Sequence, residues 1–202
     1  MLGNDNYGDC VLAGAAHETM LWNAEAKHPV TFTDKDVLSD YTAITGFDPD
    51  DPNSDQGTDM QAAASYRRKT GMISQNGARH TVDAYLGIDT GDLTQLKSSI
   101  YLFSAAGVGI QFPESAMTQF TKGKPWTVVK NSPIEGGHYI PAIGYDSCYI
   151  YVVTWGKIQK MAWSFYSKYN DESIAYLSLE YLATLSPEGF DLATLRNDLN
   201  AL

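Results

Sequence analysis

Cysteine is scarce in this chain, with only Cys10 and Cys148 among 202 residues. Two thiols so far apart are no disulfide framework, so the expected compartment is reducing. Basic residues are also few. Fourteen Lys and Arg stand against 24 Asp and Glu, a net charge of −10. That balance argues against sequence-independent binding to DNA or RNA and against charge-driven adhesion to an anionic membrane. No apolar run approaches the ~20 residues that span a bilayer, and no secretion signal precedes Gly3. Repeats and low-complexity tracts are absent. No cofactor motif is found, and the one candidate metal loop fails. Asp51, Asn53 and Asp55 have calcium-loop spacing, but the required glycine falls one place late at Gly57 and the twelfth position is Ala62. What remains is an acidic chain, 44% hydrophobic, sized for one domain or two small lobes sharing a core.

Against this background Cys10 stands out. It closes the run Asn4-Asp5-Asn6-Tyr7-Gly8-Asp9-Cys10 and opens a helical stretch to about Ala26. Backbone N–H groups and the helix dipole favour a thiolate there and are expected to lower its pKa. Asp9 opposes the thiolate by charge, or caps the helix instead. Far along the chain, Gly136-Gly137-His138 stands on the threshold of an apolar strand. The paired glycines read as a turn that exposes the histidine. Thiol and imidazole are the two parts of a nucleophilic site. The plainer alternatives are a small buried cysteine and a satisfied polar histidine. His17, two turns after Cys10, reads as a buried structural histidine or a second site residue.

The element pattern is α+β. Cys10 to Ala26, Thr33 to Thr45 behind a capping box, Thr58 to Gly71 with Thr58 and Gln61 as caps, and Leu93 to Phe103 read as helices. Val108–Phe112, Trp126–Val129, His138–Tyr145, Tyr149–Val153, Ala162–Tyr166 and Ile174–Ser178 read as strands, and Cys148 as a strand thiol. Helices first and antiparallel strands after imply a helical lobe over about 1–105 and a β-lobe over about 106–186. A tail at 187–202 carries Leu192, Leu195, Leu199 and Leu202 on one helical stripe, which packs on its own domain or docks a protein partner.

A helix led by cysteine, followed by a β-lobe led by histidine, resembles the papain-like cysteine peptidases over residues 3–182. Gly8-Asp9-Cys10 resembles that family's Gly-Ser-Cys, and Asn4 stands where its oxyanion glutamine usually lies. Asp55-Gln56-Gly57-Thr58 resembles the start of its Gly-initiated helix. The stretch from Gly136 to Asp146 is similar to its histidine strand, and Trp155-Gly156 to the end of its Asn-Ser-Trp-Gly motif. Its orienting asparagine falls here at Val153, with Thr154 next and able to bond an imidazole. In overall character the chain is most similar to small papain-fold proteins of tailed bacteriophages and prophages.

The resemblance implies a papain-like thiol hydrolase that cleaves peptide or isopeptide bonds without a cofactor. Cys10 and His138 would be catalytic, Asn4 would serve the oxyanion, and Thr154 would orient the ring. Trp155, Gly137 and Gly57 would meet the peptide or protein substrate. Two alternatives remain: a papain fold used as a structural or binding component of a phage particle, and a cell-wall endopeptidase. The expected location is the cytoplasm or a phage virion.

Overall fold

The computed structural model of the protein describes residues 1–182 together with Thr194 and Asn197. The leucine stripe at Leu192, Leu195, Leu199 and Leu202 lies outside the described residues. Among those described, no helix is long and apolar enough to cross a membrane.

The first half is mostly helical. Helix α1 (Cys10–Glu25) buries Leu12, Ala15, Ala16 and Trp22 together, because it is packed on several sides. Helix α2 (Asp34–Thr45) starts at a complete capping box: the Thr33 hydroxyl accepts from Asp36 N–H, and the Asp36 carboxylate accepts from Thr33 N–H. Helix α3 (Met60–Lys69) begins one residue later than the sequence pattern implies. Its cap is Asp59, which accepts from Ala62 N–H, whereas the buried Thr58 hydroxyl finds no partner. Gln61 reaches away to Glu172 instead. Strands β1 (Met72–Ile73) and β2 (Arg79–His80) form a small pair.

The rest is built on one antiparallel sheet. Strand β3 (Ala84–Ile88) leads to helix α4 (Leu93–Phe103), strand β4 (Ala106–Pro113) and helix α5 (Glu114–Thr121). Strands β5 (Ile134–Tyr145), β6 (Tyr149–Thr154) and β7 (Lys157–Ala162) follow, then helix α6 (Trp163–Tyr169), strand β8 (Asn170–Leu177) and helix α7 (Leu179–Leu182). The sheet order is β3-β8-β4-β5-β6-β7. Two apolar clusters fill the interior. One gathers α1, α2, α3 and Tyr139; the other gathers the inner sheet face with Leu96 and Ile100 of α4 and Phe165 and Tyr166 of α6.

Four sequence expectations are corrected here. Ala162–Tyr166 is not a strand: from Trp163 onward it is α6, where Phe165 and Tyr169, one helical turn apart, pack ring to ring at 4.7 Å. Trp126–Val129 forms no strand and makes a single bridge, to Met161. Gly136 and Gly137 form no turn; they lie within β5, paired with Phe112 and Gln111 of β4. Cys148 sits exposed in the bend between β5 and β6 rather than in a strand.

A buried ionic network ties the helices to the sheet. Glu18 of α1 and Arg67 of α3 are 0% and 1% exposed and meet at 2.6 Å. The Tyr139 hydroxyl of β5 donates to the other Glu18 oxygen at 2.8 Å. The tyrosine ring reaches Glu18 past Gly14 of α1 and Gly107 of β4, and a β-carbon at either would collide with it. The Arg67 guanidinium also covers the Tyr176 ring at 4.0 Å. Replacing Glu18 by Ala leaves a buried cation without its counter-charge and is expected to destabilise the fold by about 3–5 kcal/mol. Urea unfolding followed by tryptophan fluorescence measures this. The double replacement Glu18→Leu with Arg67→Met is expected to lose much less, because no charge stays inside.

Candidate active site

A groove of about 560 Å³ opens where the start of α1 meets β5. Cys10, His138, Asn4, Gly57, Gly137 and Trp155 all line it, and Thr154 lies behind the histidine. Residues drawn from four stretches of chain thus meet at one place. Cys10 is there because α1 starts with it, at the groove floor. The backbone N–H groups of Tyr139, Val11 and Cys10 favour its thiolate. The Tyr139 N–H belongs to the residue after His138, which brings the thiol against the histidine strand.

Side chains alternate along β5. Tyr139 turns to α1, and His138 turns to the opposite face, where it is 8% exposed. There the ring meets an aromatic shell. Trp155 stacks on it at 4.5 Å and 11°, and Phe112 meets it edge-on at 5.5 Å. Phe120 and Trp126 back the Trp155 ring. Thr154 Oγ1 lies 2.8 Å from His138 Nε2. Ile150, Val152 and Thr154 are the buried set along β6, so Thr154 points inward and Val153 does not share that face. Trp155 and Gly156 connect β6 to β7 with φ of 42° and 68°. Positive φ at both central residues suits a two-residue hairpin, but for tryptophan it costs about 1–2 kcal/mol. The stack on His138 and the contacts with Phe120 and Trp126 hold it there.

The electrostatics correct the expectation of an activated thiol. Burial pushes the Cys10 thiol up, and it outweighs the backbone N–H groups that favour the thiolate; Asp9 pushes the same way. Burial lowers the His138 imidazole to about 4. The thiol and the imidazole are therefore both neutral at rest at pH 7. Asp9 occupies the cap position of α1 but makes no capping bond. Asn4 lines the groove while its Nδ2 donates to the Tyr7 carbonyl at 3.2 Å, and its amide also faces the Asp9 carboxyl. His17 lines a void of about 10 Å³ shared with Cys10, His138 and Thr154, about the room one water needs. Burial lowers its pKa to about 4 as well.

The far wall of the groove carries Asp59, Asp171 and Glu172, and among the described residues no Lys or Arg lines it. These acids, with Phe112 and Phe120 of the shell, escape a sequence reading. They lie on elements other than α1, and no local spacing joins them to Cys10. The acidic loop after α2 is turned to structural use. Asp51 accepts from Asn53 N–H, and Asp55 accepts from Gly8 N–H and from the Tyr41 hydroxyl. Among the described residues no group of three or more His, Cys, Asp or Glu is arranged to hold a metal.

Comparison with solved structures gives the fold its class. Xylellain, a cysteine protease from Xylella fastidiosa, is 14% identical, with a TM-score of 0.67 over 85% of this chain and 80% of that one. A cysteine protease of Carica candamarcensis is 10% identical, with a TM-score of 0.62 over 85% of this chain and 89% of that one. The fold is papain-like. A digestive procathepsin L 3 of Tenebrio molitor gives 12% and 0.58 over 85% of this chain and 64% of its own. No family model and no curated protein matches the chain. At such identities it is the papain-like fold that is shared.

The lowered His138 pKa has a consequence for stability. Between about 4 and 6.5 the unfolded chain binds a proton that the folded ring refuses, so His138 costs stability as pH falls through that window. The ring is expected to stay neutral down to about pH 4, with the imidazole carbon shifts in an NMR titration as the measure. Thr154→Val, which removes the ring's hydrogen-bond partner, is expected to broaden or split those signals, and Thr154→Ser to leave them unchanged.

Proposed function

We propose that the protein is a thiol hydrolase that cleaves peptide or isopeptide bonds with Cys10 and His138. The observation that carries this reading is the convergence of a helix-start thiol and a fenced imidazole on one open groove. The low-dielectric surroundings set the order of events. With the thiol neutral at rest, His138 acts as general base during attack and not as a preformed imidazolium. With Nε2–H donated to Thr154, Nδ1 is the acceptor. The sulfur–carbon bond forms as the thiol proton passes to Nδ1. The oxyanion is held by the Cys10 backbone N–H and by the Asn4 amide, which turns to it from its resting partners. Collapse breaks the carbon–nitrogen bond, and the imidazolium returns its proton to the leaving amine. Water then attacks the thioester, again through His138, releasing the acid and the thiol. Thr154 replaces the amide that would otherwise orient the ring, and Trp155 keeps water from its face.

The charges on the groove wall bear on substrate. Asp59, Asp171 and Glu172 repel acidic segments and attract cationic ones, so peptides with Lys or Arg near the cut bond are the favoured class.

Cys10→Ala is expected to abolish turnover while leaving the unfolding curve close to that of the wild type, since it removes one atom at the groove floor. Asp171→Asn with Glu172→Gln is expected to lower kcat/KM for cationic peptides several-fold and to spare neutral ones. A fluorogenic peptide library under reducing conditions reads both. A purely structural role for the fold, in a phage particle or elsewhere, predicts that neither wild type nor variant cleaves anything. Cleavage that survives Cys10→Ala at full rate overturns the mechanism.

A further inference from the structure

Asp9 has no part in the chemistry above, yet it is the most anomalous side chain near it. It is fully buried, and neither carboxylate oxygen has a hydrogen-bond partner. It stands at the cap position of α1, where an aspartate ordinarily accepts a backbone N–H, and accepts none. Gly3 crosses it so closely that a β-carbon there would strike Oδ2, and the Asn4 amide lies alongside. The charged groups that face it are Asp55, from the loop before α3, and Asp34, from α2; both are acidic. Cys10 follows it directly on α1. A carboxylate in that setting is desolvated among acidic neighbours, which the Asn4 amide and its own backbone N–H offset only in part, whereas a neutral acid is a donor in its own right.

We propose that Asp9 is a positioning residue that works as a neutral acid: protonated, it seats residues 1–7, with Asn4, against Cys10; ionised, it loosens that seat and suppresses the Cys10 thiolate. Burial, with Asp55 and Asp34 adding to it, raises its pKa from 3.8 to about 7, which puts the change near neutrality. Its effect on turnover rests on the hydrolase reading; its effects on the fold and on the thiol do not.

The sign follows from proton linkage. Between about 4 and 7 the folded chain holds a proton that the unfolded chain has lost, so Asp9 makes stability fall as pH rises through that window. His138 and His17 act in the opposite sense, so a variant comparison is needed to isolate it.

The test compares Asp9 with Asp9→Asn in a Cys148→Ser background, which removes the exposed thiol. Melting temperature and the rate of Cys10 alkylation by iodoacetamide are followed from about pH 4 to about pH 9. Asp9→Asn is expected to gain stability relative to its parent as pH rises to about 7, and to alkylate several-fold faster above that. Where peptide turnover is measurable, its alkaline limb should extend upward in the variant, with the change in kcat. Parallel pH profiles for the two proteins in stability and alkylation would overturn the proposal, whether or not any peptide is cleaved. If Asp9→Asn does not fold, carbon-13 NMR of the aspartate carboxyls in the Cys148→Ser protein decides. A carboxyl that titrates near 7 upholds the proposal, and none above about 5 overturns it.

Discussion

The contact between Glu18, Arg67 and Tyr139 governs this structure more than any other. Glu18 lies eight residues after Cys10 on α1, about 12 Å along the helix. Tyr139 is the neighbour of His138 on β5. The network therefore joins the two elements that carry the thiol and the imidazole, and adds α3, which forms one wall of the groove. Buried ion pairs contribute little net stability over apolar packing, because desolvation offsets the attraction. What this one supplies is register. A slip of α1 along the sheet would leave a buried charge unpaired, and Gly14 and Gly107 leave room for the tyrosine ring at one place only.

The histidine is held by a different kind of constraint. Aromatic rings fix its plane, and a threonine hydroxyl fixes one nitrogen. The shell is assembled from β4, α5, the β6–β7 hairpin and the segment before β5, so it depends on the whole sheet being closed. Its low dielectric disfavours charge on the ring, just as burial disfavours charge on the sulfur. Both groups therefore rest neutral.

Acidity is distributed with a purpose around this neutral pair. Asp55 is tied down by Gly8 N–H and Tyr41 and secures the loop before Cys10. Asp59 caps α3 while lining the groove. Asp9 is sealed away beside the Asn4 amide, next to the thiol. The same residue type thus serves as anchor, as cap and as an enclosed acid, and only the solvent and donors around each distinguish the three.

Much of this could be read from the chain. Capping residues announce helix starts by local chemistry, so Thr33 and Asp36 mark α2, and the apolar period defines α4 between Leu93 and Phe103. The convergence on Cys10 and His138 follows from motif order, because a papain-like fold brings a leading helix against a later strand. Local pattern failed where tertiary packing outweighed it. The aromatic run from Trp163 has strand-forming residues but is helical, since Phe165, Tyr166 and Tyr169 fill one cluster only at helical spacing. Strand β7, with Ile158 exposed among its lysines, has too weak an alternation to announce itself. The sequence by itself determined which groups are available: a thiol at a helix start, an imidazole on a strand, a threonine beside a tryptophan. Only the tertiary structure decided their charge, because desolvation depends on how many atoms surround a group, and those atoms come from parts of the chain far away in sequence.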